Sequence, residues 1–96
     1  MNIKNSISSK DVVQVRGDLV KFDAQFTDKD GNYLKNGTKV QFTIDGNNIY
    51  ESYIDDDNGH ANIEFTSLSR GEHKIIVKNL ETNETQTFRA VILAGC

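Results

Sequence analysis

Two carboxylate-rich turns are the first places in this chain where chemistry could reside. Asp28-Lys29-Asp30-Gly31-Asn32 and Asp55-Asp56-Asp57-Asn58-Gly59 each concentrate oxygen donors. Calcium takes about six to eight oxygens, and Asp- and Asn-rich loops supply several. Neither stretch runs on into a full EF-hand loop closed by a bidentate Glu. The same residues have an ordinary structural use, because Asp and Asn close turns with their own side chains and Gly takes the left-handed position. Turn chemistry accounts for the first stretch. In the second, three adjacent aspartates repel one another, so Asp55, Asp56 and Asp57 are the candidate metal ligands. Calcium is the only cofactor they suggest, and otherwise none is expected.

Other chemistries find less support. His60 and His73 are the only histidines, and no cysteine pair or third histidine joins them to complete a zinc site. His60 falls in a turn, and His73 at the start of a strand suits a buried or capping role. The serines lie in loops and at strand ends without a nucleophile elbow, and no carboxylate sits in an apolar run that would raise its pKa. A non-catalytic protein is expected. Tyr33, Tyr50 and Tyr53 are the aromatic candidates for gripping a carbohydrate or a protein, against a plainer use covering sheet faces or edges. Asn36-Gly37-Thr38 and Asn83-Glu84-Thr85 are N-glycosylation sequons, with Asn36 and Asn83 as acceptors. A lysine–asparagine cross-link, known in some surface sandwiches, needs both residues inside the core beside an acid. No inward position assigned below is Lys or Asn.

The bulk composition narrows the class. The chain has 96 residues, enough for one domain. Hydrophobic residues make up 36% and charged ones 26%, a globular balance. Eleven basic and 14 acidic residues are interleaved, so no basic face for nucleic acid is visible. No apolar run approaches the ~20 residues of a spanning helix, so no direct membrane insertion is expected. No signal-peptide pattern opens the chain, and for an exported protein the signal would lie outside it. Cys96, the lone cysteine, cannot staple the fold. Gly95-Cys96 reads as an appended coupling tail and Met1 as an added start.

The elements that must position these groups are strands. Val20, Phe22, Ala24 and Phe26 alternate with Lys21, Asp23, Gln25 and Thr27. Apolar residues two apart mark a half-buried strand, whereas a helix would space them three and four apart. The same pattern places Val12–Val15, Val40–Ile44, Ala61–Phe65, His73–Val77 and Thr87–Ile92 in strands. Asp45-Gly46 is a hairpin signal of the primed type, returning through Ile49–Ile54, whose mixed parity suggests an edge strand with a bulge. The inward set is Val20, Phe22, Ala24, Phe26, Val40, Phe42, Ile44, Ala61, Ile63, Phe65, Ile75, Val77, Phe88 and Ile92. Seven antiparallel strands in two sheets are expected. An odd count sets the two chain ends at opposite poles. Residues 1–5 read as a linker, 6–94 as the domain and 95–96 as the tail.

In order along the chain, these segments resemble a known family. Phe22-Asp23-Ala24-Gln25-Phe26-Thr27-Asp28-Lys29-Asp30-Gly31-Asn32-Tyr33-Leu34 resembles a strand ending in D-x-x-G-x-x-L, and Val40-Gln41-Phe42-Thr43-Ile44 the V-x-F-x-I that follows. Asp57-Asn58-Gly59-His60-Ala61 is similar to D-x-N-G-x-A, and Gly71-Glu72-His73-Lys74-Ile75 to G-x-Y-x-I. The set resembles the Ig-like repeats of bacterial and archaeal surface adhesins, the group that includes invasin and intimin domains, with the flavour of adhesin-like proteins of methanogens. It covers about residues 6 to 93. The resemblance implies an Ig-like β-sandwich in an extracellular, cell-surface array, acting as a stalk, spacer or adhesion repeat. Its partners would be neighbouring Ig-like repeats and a host or cell-surface glycan or protein, with the domain itself a monomer. The alternatives are a carbohydrate- or protein-binding tip and a calcium-rigidified spacer. His73 stands where the family carries a Tyr that braces a corner, and Arg70 where a proline is common.

Overall fold

The computed structural model describes residues 5–15, 19–65 and 68–94. Residues 1–4, 16–18, 66–67 and the tail Gly95-Cys96 lie outside the described residues. Eight strands form: β1 (Ile7–Ser9), β2 (Val12–Val15), β3 (Val20–Phe26), β4 (Lys39–Ile44), β5 (Asn48–Tyr53), β6 (His60–Phe65), β7 (Gly71–Lys78) and β8 (Thr85–Leu93). They build a β-sandwich from a three-stranded sheet, β1-β3-β6, and a five-stranded sheet, β2-β8-β7-β4-β5. The all-β, two-sheet expectation holds, with eight strands in place of seven.

The extra strand is β1. No alternation marks residues 7–9 as a strand, yet Ile7 pairs with Phe26 and Ser9 with Ala24. The chain then changes sheets through Lys10-Asp11 and pairs β2 parallel to β8, Val12 with Ala90 and Val15 with Leu93. β1 and β2 run in one direction, so the added strand contributes no reversal. The ends therefore still separate despite the even count. Ser6 is held at one pole by Glu84, just before β8 begins, and Leu93 closes β8 at the other. A nine-residue strand spans about 30 Å, and the body is 46 × 28 × 21 Å.

The core follows the alternation. β3 shows it most plainly, with Val20, Phe22, Ala24 and Phe26 buried and Lys21 and Asp23 exposed. Phe42 meets both Phe22 and Phe26 edge-on, at centroid distances of 6.0 and 6.2 Å. Such T-shaped pairs set the ring edge of one residue against the negative face of the next. Two residues of the expected inward set, Phe65 and Phe88, are only half-buried, because each sits at the margin of the core and packs against it from outside. Ile7, Leu34 and Ile54 join the core from outside the expected set. The expected bulge in the returning strand is absent. β4 and β5 pair without interruption from Lys39–Tyr53 to Ile44–Asn48, and the mixed parity reflects an edge strand exposed on most sides.

Candidate functional site

The two Asp-rich turns share one construction. Asp28 Oδ1 accepts the amides of Asp30 at 2.9 Å and Asn32 at 3.0 Å. Asp56 Oδ1 accepts the amides of Asn58 at 2.8 Å and His60 at 3.0 Å. Each turn carries a left-handed glycine three residues after its Asp, Gly31 at φ 87° and Gly59 at φ 72°. A carboxylate that takes two backbone N–H groups stabilises its turn and favours its own ionised form. The amide of His60 is the largest influence holding the Asp56 carboxyl below its ordinary value, with the His60 ring and the Asn58 amide adding to it.

This geometry decides what the candidate metal ligands do. Asp56 is committed to its turn, since Oδ1 caps two amides and Oδ2 lies 2.7 Å from His60 Nδ1. Asp55 Oδ2 faces Asn62 Nδ2 at 3.4 Å. Asp57 is exposed at the tip. Among the described residues, no three His, Cys, Asp or Glu side chains gather in a way that could hold a metal ion. Next to Asp56, a shallow cleft of about 380 Å³ lies on the outer face of the three-stranded sheet, with Lys21, Asp23, Gln25 and His60 along it. Burial by these walls raises the Asp23 carboxyl, outweighing the opposing charges of His60 and Lys21.

The three tyrosines do not form one surface. Tyr50 pairs with Phe42 and so points toward the sandwich, where its ring meets Phe65 edge-on at 5.4 Å. It fills the seam between β5 and β6, beside the bond from Ser52 Oγ to the Asn62 carbonyl at 2.9 Å. Tyr53 has the opposite parity and lies beside Lys39 on the outer face of the large sheet. Tyr33 bridges to Thr27 in the loop after β3. The sequon residues are exposed, Asn36 in a turn and Asn83 in the β7–β8 connection at φ 64°.

Two polar groups carry more of the structure than their sequence positions suggest. Asn79 is fully buried. Its Nδ2 donates to the carbonyls of Thr27 at 2.8 Å and Ser6 at 3.4 Å. Its Oδ1 accepts the amides of Glu81 at 3.0 Å and Thr82 at 3.4 Å. The side chain thereby joins the β7–β8 turn to the opposite sheet with its donors and acceptor used. It is an inward asparagine that the strand assignment missed, and the signal was its parity with His73, Ile75 and Val77. No lysine is buried among the described residues, so Asn79 has no partner for a cross-link.

Glu84 works beside it. Its Oε1 accepts the amide and hydroxyl of Ser6, each at 3.0 Å, and Oε2 accepts from Gln86 at 2.9 Å. Burial pushes the Glu84 carboxyl up, but the bonds from Gln86 and Ser6 outweigh it and hold the group below its ordinary value. At the opposite pole His73 is buried between Asp45 and the Ser69 carbonyl, 2.7 Å from each. Among the described residues, no buried side-chain nitrogen or oxygen lacks a hydrogen-bond partner. The buried polar groups are consumed in bracing the fold. No protein-family model matches this sequence, and no curated protein matches it either.

Proposed function

We propose that this domain is a non-catalytic, Ig-like module of a cell-surface adhesin-like protein, acting outside the cell as a spacer or adhesion repeat. One observation carries the reading. The chain enters at the pole where Ser6 meets Glu84 and leaves at the pole where Leu93 pairs with Val15. A domain whose ends lie at opposite poles of a 46 Å body adds nearly its whole length to a chain of domains. Domains with adjacent ends would instead hang from such a chain as side branches.

The test is a fusion of two copies, examined by small-angle scattering. Two 46 Å bodies end to end give a maximum dimension of about 90 Å. A maximum dimension near that of a single copy, or a bimodal distribution of side-by-side pairs, would overturn the spacer reading. For the tip alternative, Tyr50 and Tyr53 have opposite parity on β5 and so do not share a sheet face.

A further inference from the structure

We propose that His73 acts as a doubly donating imidazolium that latches three segments at the exit pole, and that this latch opens as the pH rises. The argument is one of hydrogen-bond inventory. Nδ1 lies 2.7 Å from Asp45 Oδ2, and Nε2 lies 2.7 Å from the Ser69 carbonyl oxygen. A carbonyl oxygen can only accept, and so can an ionised carboxylate. A neutral imidazole owns a single N–H, so it satisfies one of these contacts and sets a lone pair against a lone pair at the other. The imidazolium donates to both. Each distance is that of a charge-assisted bond. The Ser69 hydroxyl, 3.4 Å from Nε2, is too distant to replace the carbonyl contact.

The proton belongs on the ring and not on Asp45. The carboxylate is 44% exposed, while the His73 side chain is 11% exposed. Asp45 Oδ1 also accepts the Lys74 amide at 3.1 Å, which favours the ionised acid. The Asp45 carboxyl is accordingly held below its ordinary value, first by the bond from His73, and the His73 ring is held above 6.5, first by Asp45 and then by the Ser69 carbonyl.

The latch joins parts far apart in sequence. Asp45 opens the β4–β5 loop in a left-handed conformation, φ 54°, and its amide donates to the Lys74 carbonyl at 2.9 Å. Ser69 belongs to the segment entering β7, and His73 itself pairs with Ala90 on β8. Among the described residues, Asp45 is the charged group that faces the ring. Glu72 and Lys74 flank His73 on the exposed face of β7, and Arg89 on β8 reaches outward to Glu72 and Asp11. Because the folded state raises the pKa of His73, its stabilisation is complete below about pH 6.5 and disappears as pH climbs through the raised value. Loss of the proton to solvent releases one of the two bonds, and the left-handed Asp45 loses part of what holds it.

The experiment is a nitrogen-detected NMR titration of the histidine rings in the intact protein, with resonances assigned through His60→Gln. Both His73 ring nitrogens should carry protons in most molecules at pH 6.5, with a titration midpoint above 6.5. The amide protection factors of Lys74 and Asn47 should fall across that same midpoint. In Asp45→Asn the midpoint should drop by about one unit or more. A predominantly neutral single tautomer of His73 at pH 6.5, or a midpoint at or below 6.5, would overturn the proposal. So would protection factors that stay constant across the His73 titration. The titration of the unaltered protein stands as a test even if Asp45→Asn fails to fold.

Discussion

Gly59 offers the sharpest test of the turn geometry, because the other Asp turn provides a matched control. Gly59→Ala introduces a Cβ at φ 72°, where an L-residue is strained by about 1–2 kcal/mol. That Cβ would also overlap the carbonyl oxygen of Phe26, with Tyr33 Cβ at 3.3 Å and the Leu34 amide at 3.4 Å. The obstacle is backbone, which cannot swing aside as a side-chain tip can. The Phe26 carbonyl accepts the Leu34 amide at 3.1 Å, and the Phe26 amide donates to the Gly59 carbonyl at 2.8 Å. Relieving the overlap disturbs both bonds, each worth about 0.5–1.5 kcal/mol. The combined cost is about 2–5 kcal/mol, a large part of the ~5–15 kcal/mol that typically stabilises a domain. Gly31 has the same turn type and a φ of 87°, but an added Cβ there meets nothing within 4 Å. Gly31→Ala should therefore cost only the conformational ~1–2 kcal/mol. Urea denaturation followed by far-UV circular dichroism gives both values. Equal losses in the two variants would refute the steric argument, leaving conformation as the sole requirement at Gly59.

Four further outcomes follow from the polar groups. Asn79→Ala should destabilise by about 2–4 kcal/mol, because it removes a fully buried side chain and strands the part-buried Thr27 carbonyl and Glu81 amide. Asn79→Asp should be weakest at neutral pH and recover on acidification, since only its protonated form can donate to Thr27, and urea midpoints at two pH values would reveal the sign. The folded-state pKa values of Asp45, Asp56 and Glu84 are lowered, so their contributions are full above about pH 4.5 and fade as pH falls through the lowered values. Glu84→Gln should flatten part of that acid decline in a thermal-melt series. Asp23 has the opposite sign: its raised carboxyl is disfavoured as an anion in the fold. Asp23→Asn should raise neutral-pH stability slightly, by about 0.5 kcal/mol or less after solvent screening, as read by differential scanning calorimetry.

How much of this was legible in the sequence depends on whether the deciding interaction is local. β3 was read correctly because Val20, Phe22, Ala24 and Phe26 alternate within one segment, and burial of a sheet face imposes that period directly. β1 was not, because Ile7-Ser8-Ser9 has one apolar residue and becomes a strand only by pairing with Phe26 and Ala24 across a distant part of the chain. Leu34 and Ile54 escaped for a related reason. They are buried from loops, held by the bonds of their amides to the Phe26 and Thr38 carbonyls, and no periodicity marks a loop. The tyrosines show the limit most clearly. Tyr50 and Tyr53 are three residues apart in one strand, so their faces must differ, and the register that opposes Tyr50 to Phe42 assigns the inward one.

Asn79 and His73 were closer to being readable. Positions 73, 75, 77 and 79 form one buried column along β7 and just beyond it, so a polar residue at either end of that column must find internal partners. At one end Asn79 bonds to the β3 and β1 side of the sandwich, and at the other His73 bonds to the β4–β5 loop and the segment before β7. The same column thus braces both poles with opposite chemistry. Asn79 cannot titrate, while His73 can. Of the two ends of this column, the one at the exit pole should therefore loosen as the pH rises through the His73 titration, while the Asn79 end stays in place.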